Sequence, residues 1–426
     1  MKQDPSLCFP EMALAEQALH MDKMADPEES LEKAMAPFAE KLGSMQGEQV
    51  AVAVGSRNID RLAQVVTGCI RFLKRHGKKP FIVPAMGSHG GASAAGQKEV
   101  LGAFGIDETT LGVPIKAEMD TVRVCSEPSG LAIHVCRAAS LADHIVLINR
   151  IKPHTKFYAP IESGLCKMLT IGLGKDRGAN LFHQAAVSRS FSVIETAAER
   201  LLSELPVLFG IALMEDGYGH LADLAVLGRG ELIAREKEFL LRARKMMGTI
   251  PFDEVDILII DRIGKDISGI GMDSNVTGRH RDIVGDFSGP PHAKRIFVRD
   301  LTPKSDGNAN GIGLADVTTA RLVEKIDRKK TYINAISAIS PEKAAIPMHY
   351  ETDWQCMIAC ARTCGINDGA NLRIVRIRDT SSLDYLQISR PLEQEAKACP
   401  ELRIAGDWGP MKFDENELLK DFYPHA

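Results

Sequence analysis

Between Asn149 and His183 the chain reads NRIKPHTKFYAPIESGLCKMLTIGLGKDRGANLFH, which sets two imidazoles on either side of a lysine in apolar company. His154 follows Lys152-Pro153. Proline disfavours the helical region at the residue before it, so this histidine should leave a strand rather than sit inside a helix. Lys167 lies in Ser163-Gly164-Leu165-Cys166-Lys167-Met168-Leu169, a small and apolar run. Gly172, Gly174 and Gly178 come next among Lys175, Asp176 and Arg177, and His183 follows a short apolar patch. Such clustering points to cofactor chemistry. The plainer reading is a glycine-rich connector with a solvated basic rim.

A third histidine stands earlier, in Met86-Gly87-Ser88-His89-Gly90-Gly91. Glycines on both sides leave its ring accessible and let a ligand approach the backbone closely. The loop has neither the dinucleotide glycine spacing nor a P-loop lysine, so it is a better seat for a catalytic histidine than for a phosphate. Histidine's reference pKa of ~6.5 lets it take and return a proton near neutrality. Arg57, in Gly55-Ser56-Arg57-Asn58, occupies the equivalent place after the preceding strand, where a guanidinium fork suits a carboxylate substrate or a surface ion pair. Lys265 follows the strand that opens the second half, in Asp261-Arg262-Ile263-Gly264-Lys265-Asp266, and the run through Ser268, Gly269, Gly271 and Asn275 to Arg279 could close over a cleft. Cys356, Cys360 and Cys364 share a helix face, but structural zinc uses tighter knuckles and a second pair, so these read as buried thiols.

The elements that must position these residues alternate between strand and helix. Helical patterns cover 27–43, 59–76, 92–104, 190–205 and 229–247, the last with many charges on one face. Strands are expected at Gln49–Val54, Pro80–Ala85, His144–Asn149 and Leu208–Met214, then at Val255–Asp261, Arg295–Arg299 and Leu372–Arg378. Asp316–Ile326 and Asp353–Cys364 should be helices between the later strands, and Pro303–Gly313 a long loop. Gly248–Pro251 marks a boundary. The pattern predicts an α/β protein of two α/β domains, 1–250 holding the cofactor and 251–410, with the active site in the cleft between them. The tail 411–426 could pack back on the first domain.

Bulk properties narrow the class. A chain of 426 residues exceeds a comfortable single core. A net charge of −4 gives no electrostatic case for nucleic acid. Pro5 and Pro10, with Asp4 and Glu11, interrupt any secretory apolar region, and no run approaches the ~20 apolar residues of a membrane span. Nine dispersed cysteines fit reduced thiols, hence a cytoplasmic protein.

Taken together, Gly87-Ser88-His89-Gly90-Gly91, Lys152-Pro153-His154, Lys167 and His183 resemble the lactate racemase family of nickel-dependent 2-hydroxyacid racemases and epimerases, in order and separation over most of the chain. The resemblance implies a nickel pincer nucleotide, a pyridinium mononucleotide bearing thio-acyl arms, tethered to Lys167. It implies His183 as the nickel ligand and His89 and His154 as the acid/base pair. Gly87, Ser88, Ser163 and Gly164 would line the cofactor, and Arg57 and Lys265 the substrate carboxylate. Cofactor maturation enzymes would be partners, and nothing in the chain speaks for nucleic acid or membrane. Two features depart from the family: its Asp-x-Thr-Arg signature reads Val54-Gly55-Ser56-Arg57 here, and the interval from His154 to Lys167 is longer. They imply a branch distinct from lactate racemase itself.

The chemistry agrees with that resemblance. Deprotonating the α-carbon of a 2-hydroxyacid is hard beside an existing carboxylate. Removing hydride while a histidine takes the hydroxyl proton yields a keto group instead, provided a cofactor holds the hydride. Soft sulfur donors with one imidazole suit square-planar Ni(II). Two other classes stay open: a zinc hydrolase built on His89, His154 and His183, and a non-catalytic binder of an organic acid or nucleotide.

Overall fold

The computed structural model describes residues 8–55, 59–128, 130–366 and 368–424. The chain forms two compact units, one of Met21–Met247 and one combining Met1–His20 with Gly248–Ala426. The split falls between Met247 and Gly248. Residues 8–20, which the sequence reading placed in a domain 1–250, go with the second unit, because Met12–Gln17 pairs antiparallel with Ser382–Ser389 and Leu402–Ile404.

In the first unit, five strands run in the order Lys79–Pro84, Gln49–Val54, His144–Arg150, Val207–Glu215, Leu221–Gly228. The first four are parallel and the last is antiparallel. Apolar β-formers fill them: Val50, Val52 and Val54 face a core shared with Ile148 and Phe209. That core is closed by the Leu62–Arg75 helix, which buries Val65, Val66, Cys69, Ile70, Phe72 and Leu73 along one stripe. Burial of each large side chain is worth about 1.5–3 kcal/mol, so the face is firmly fixed. From Gln49–Val54 the chain steps outward to Lys79–Pro84, then returns to His144–Arg150 on the other side. The strand order therefore reverses between Gln49–Val54 and His144–Arg150. Ligands of open α/β sheets gather at the carboxyl ends of the strands beside such a reversal.

The second unit is an eight-stranded sheet in the order Met348–Tyr350, Val317–Thr319, His292–Val298, Glu254–Ile260, Ile374–Asp379, Ser382–Ser389, Met12–Gln17, Leu402–Ile404. Alternate residues of its central strand enter two cores, Leu258 and Ile260 on one face and Ile257 and Ile259 on the other, as a strand covered on both sides must. Val317–Thr319, expected to open a helix, is a strand parallel to Phe297-Val298; three β-branched residues fit the pleat better than a helical turn. Cys356 and Cys360 are fully buried and Cys364 nearly so, and burial pushes all three thiols well up. The described part of the C-terminal tail makes its bonds within this second unit. Arg376 pairs with Asp261 and donates to the Lys420 carbonyl, Trp354 N donates to the Glu417 carbonyl, and Tyr423 hydrogen-bonds Asp384. Among the described residues, no helix is long and apolar enough to cross a membrane.

Candidate active site

His89 and His154 both follow the carboxyl ends of strands of the first unit, Lys79–Pro84 and His144–Arg150. After Arg150 the chain makes a loop closed at its neck by a bridge between Lys152 and Ser163, with N···O distances of 3.0 and 3.3 Å. His154 sits near the start of this loop and Glu162 near its end. Glu162 is 1% exposed and accepts from the His154 amide at 2.6 Å, from the Ala159 amide at 2.7 Å, and from Arg244. Burial raises its carboxyl above the usual range, outweighing those amides and the guanidinium. Arg244, from the helix Leu232–Met246, also lies 3.8 Å over the ring of Tyr158. The histidine loop is thus fastened at both ends.

Aromatic rings fix the histidine itself. His154 stacks on Phe157 at 4.4 Å between centroids, and Phe157 stacks on Phe191 at 3.9 Å. Phe191 lies 6.3 Å from His154 and 6.0 Å from His183, which meets it edge-on. Two histidines twenty-nine positions apart in the chain therefore share one aromatic neighbour. Lys156, buried in the same loop, reaches within 5.8 Å of the Phe191 ring.

Lys167 closes a short helical turn, Leu165–Lys167, that runs on into a π-helical segment, Met168–Gly172. The start of the turn is capped from elsewhere: Glu236, fully buried on Leu232–Met246, accepts from the Cys166 amide at 2.9 Å. Burial pushes this carboxyl up to about 7, against the pull of the Cys166 and Leu165 amides. The Gly164 carbonyl accepts from the Asn149 side chain at 3.0 Å. The neighbours of Lys167 are as apolar as the sequence suggests, with Leu165, Cys166, Met168 and Leu169 all buried.

The glycine loop with His89 is tied to this segment through the Gly87 N–H, which donates to the Gly172 carbonyl at 3.1 Å. Gly90 must be glycine, since its φ is +65° and a β-carbon would press on the Gly96 backbone. Beneath the loop lies Lys175, 0% exposed, which donates to the Pro84 carbonyl at 2.7 Å and to Gln97 Oε1 at 2.8 Å. Gln97 in turn donates to the Gly87 carbonyl at 2.9 Å. The basic rim suggested by sequence is therefore only partly a rim: Arg177 is exposed, but Lys175 is an internal strut whose pKa burial lowers. The stretch readable as a connector is helical, with His183 inside Lys175–Arg189.

Structure thus brings together the segments of His89, His154, Lys167 and His183, with Gly87, Ser163 and Gly164 in their frame. Ser88 accepts the Ala92 amide within its own loop. Arg57 lies outside the described residues. Lys265 belongs to the other unit, where it donates to the Gly269 carbonyl at 2.7 Å and to Asn334. Sequence reasoning missed Phe157, Phe191, Glu162, Arg244, Glu236, Lys175 and Gln97. Two surface pockets, of ≈ 390 and ≈ 260 Å³, lie between Leu31 and Arg71 and around Arg279 and His292; neither touches the histidine cluster. Among the described residues, no three His, Cys, Asp or Glu side chains come together as a metal site of protein ligands would require.

No protein-family model matches the chain, and no curated protein sequence does. Solved structures do resemble it. The fold is the α/β fold of a lactate racemase: the lactate racemase apoprotein from Thermoanaerobacterium thermosaccharolyticum superposes with a TM-score of 0.53 at 13% identity, over 86% of this chain and 94% of that one. A Thermotoga maritima protein from a structural-genomics programme gives 0.49 at 16% identity, over 77% and 83%.

Proposed function

We propose that this protein is a racemase or epimerase of 2-hydroxyacids that works with a lysine-tethered nickel pincer nucleotide. The observation that carries the reading is the shared contact of His154 and His183 with Phe191. The donor set fits the group. A metal at His183 would have too few protein ligands among the described residues to be held by protein alone, and a cofactor with soft sulfur arms supplies the others. The same geometry weakens the zinc-hydrolase reading, which needs three protein ligands in one place.

In this reading Lys167 forms the covalent link and His183 binds nickel through a neutral imidazole. The chemistry such a group would supply is an acceptor for the substrate's α-hydrogen. The chain's own residues bind, orient and handle protons. His89, on an exposed loop braced by Lys175 and Gln97, and His154, on its pinned loop, serve the substrate's hydroxyl oxygen. Arg57 is the proposed carboxylate partner. Phe157 and Phe191 pack against the half-buried rings of His154 and His183. The protein would act in the cytoplasm, loaded by the cofactor's maturation enzymes.

Protein co-expressed with those enzymes should interconvert the stereoisomers of at least one member of a 2-hydroxyacid panel, followed by chiral chromatography. His183→Ala should lose the nickel while the organic adduct stays on the chain. Nickel-loaded protein that leaves every panel member unchanged would contradict the assignment.

A further inference from the structure

The turn that carries Lys167 has no cap of its own. Helices are ordinarily opened by a Ser, Thr, Asp or Asn whose side chain accepts from the first free amides. Here that place falls to Gly164, which has no side chain to offer. The oxygen comes instead from a residue seventy positions further along the chain. Glu236 Oε2 accepts from the Cys166 amide at 2.9 Å, and the Leu165 amide and the Cys166 thiol hydrogen-bond the same carboxyl.

A local cap would serve those amides at less cost. Glu236 is fully buried, and among the described residues its Oε1 has no hydrogen-bond partner. Burying a carboxyl oxygen without a partner is destabilising. Sequences keep such departures where position matters more than stability. What the distant cap adds is a tie to the helix Leu232–Met246, and that helix holds two further pieces of the candidate site. Arg244 pairs with Glu162, which accepts from the His154 amide. Lys237 pairs at 2.5 Å with Glu195, on the helix Val193–Glu204 that opens two residues after Phe191. One regular element thus registers the lysine turn, the histidine loop and the helix following the shared phenylalanine, and a helix fixes such positions more precisely than a loop.

We infer that Glu236 is a positioning residue for Lys167, holding the attachment turn in register with the His154 loop through the Leu232–Met246 helix. The inference rests on the racemase reading for what Lys167 carries, and adds to it a residue that acts through the turn. The acceptor oxygen does the holding, so its chemistry survives in an amide of the same length.

The test compares Glu236→Gln, which keeps an acceptor of the same reach, with Glu236→Leu, which keeps the bulk and loses the acceptor. Glu236→Asp, one methylene too short, replaces Glu236→Leu should that variant not fold. In full-length protein without cofactor, amide exchange over 165–172 should quicken on the order of tenfold in Glu236→Leu, as for a lost helix cap. The strand Gln49–Val54, and the same turn in Glu236→Gln, should keep wild-type rates. In protein made with the maturation enzymes, the fraction of chains bearing the adduct, read by intact mass, should fall about tenfold or more in Glu236→Leu, since misplaced groups react poorly. Glu236→Gln should restore it. Wild-type loading in Glu236→Leu, equal loss in Glu236→Gln, or exchange that quickens uniformly across the unit overturns the inference. Wild-type protein without any adduct contradicts the racemase reading instead, and the exchange comparison still decides whether Glu236 places the turn.

Discussion

The Glu236 carboxylate occupies the space that a β-carbon on Gly164 would fill. Gly164 is extended, at φ 176°, a conformation open to other residues, so it is close packing and not backbone freedom that demands glycine here. The carboxylate reaches past Gly164 to cap the Cys166 amide, and thereby sets where the turn bearing Lys167 begins.

That contact has a pH signature. The folded pKa of Glu236, about 7, stands above its ordinary value of 4.5. Between these values the folded protein binds more protons than the unfolded chain, so stability falls as pH rises through the window. The loss is on the order of 3 kcal/mol at 1.36 kcal/mol per unit. Glu236→Gln keeps an acceptor without the charge and should flatten this slope between pH 5 and 8 in denaturant titrations. An unchanged slope would mean the carboxyl is not the titrating group.

Arg244→Ala should cost toward the low end of the roughly 3–5 kcal/mol seen when one partner of a buried pair is removed. The low end applies because Glu162, already raised by burial, can take up a proton once its cation is gone. The variant should therefore lose more stability at pH 8 than at pH 5. Equal losses at both would show that Arg244 acts by packing on Tyr158 alone.

Lys175→Met removes the donor to Pro84 and Gln97 and should cost roughly 1.5–3 kcal/mol per lost charged hydrogen bond. Amide exchange in 86–92 should accelerate more than in the Gln49–Val54 strand. Uniform acceleration across the unit would mean that Lys175 supports the core and not the His89 loop.

How much of this was legible beforehand follows from the range of each interaction. Gln49–Val54 and His144–Asn149 announce themselves by unbroken β-branched and apolar residues, and they appear where expected. Met12–Gln17 does not, because MALAEQ has little β preference and its partners lie hundreds of positions away. Three glycines hid the Lys175–Arg189 helix. The helix at 229–247 was visible, but its charges looked solvated; nothing local marks Glu236 and Arg244, two helical turns apart, as the pair that turns inward. Likewise the histidines were recognisable by type and spacing, whereas Phe191, which gathers His154 and His183, reads in sequence as one more apolar residue at the start of the helical pattern 190–205.

The central claim is that Lys167 carries a cofactor covalently, and the intact mass of the full-length chain tests it most directly. Protein made with the maturation enzymes should be heavier than the bare polypeptide by one adduct, nickel should accompany it, and peptide mapping should place the adduct on Lys167. Lys167→Ala, made the same way, should have only its polypeptide mass. Wild-type protein with no adduct under those conditions, or an unchanged adduct on Lys167→Ala, would contradict the account.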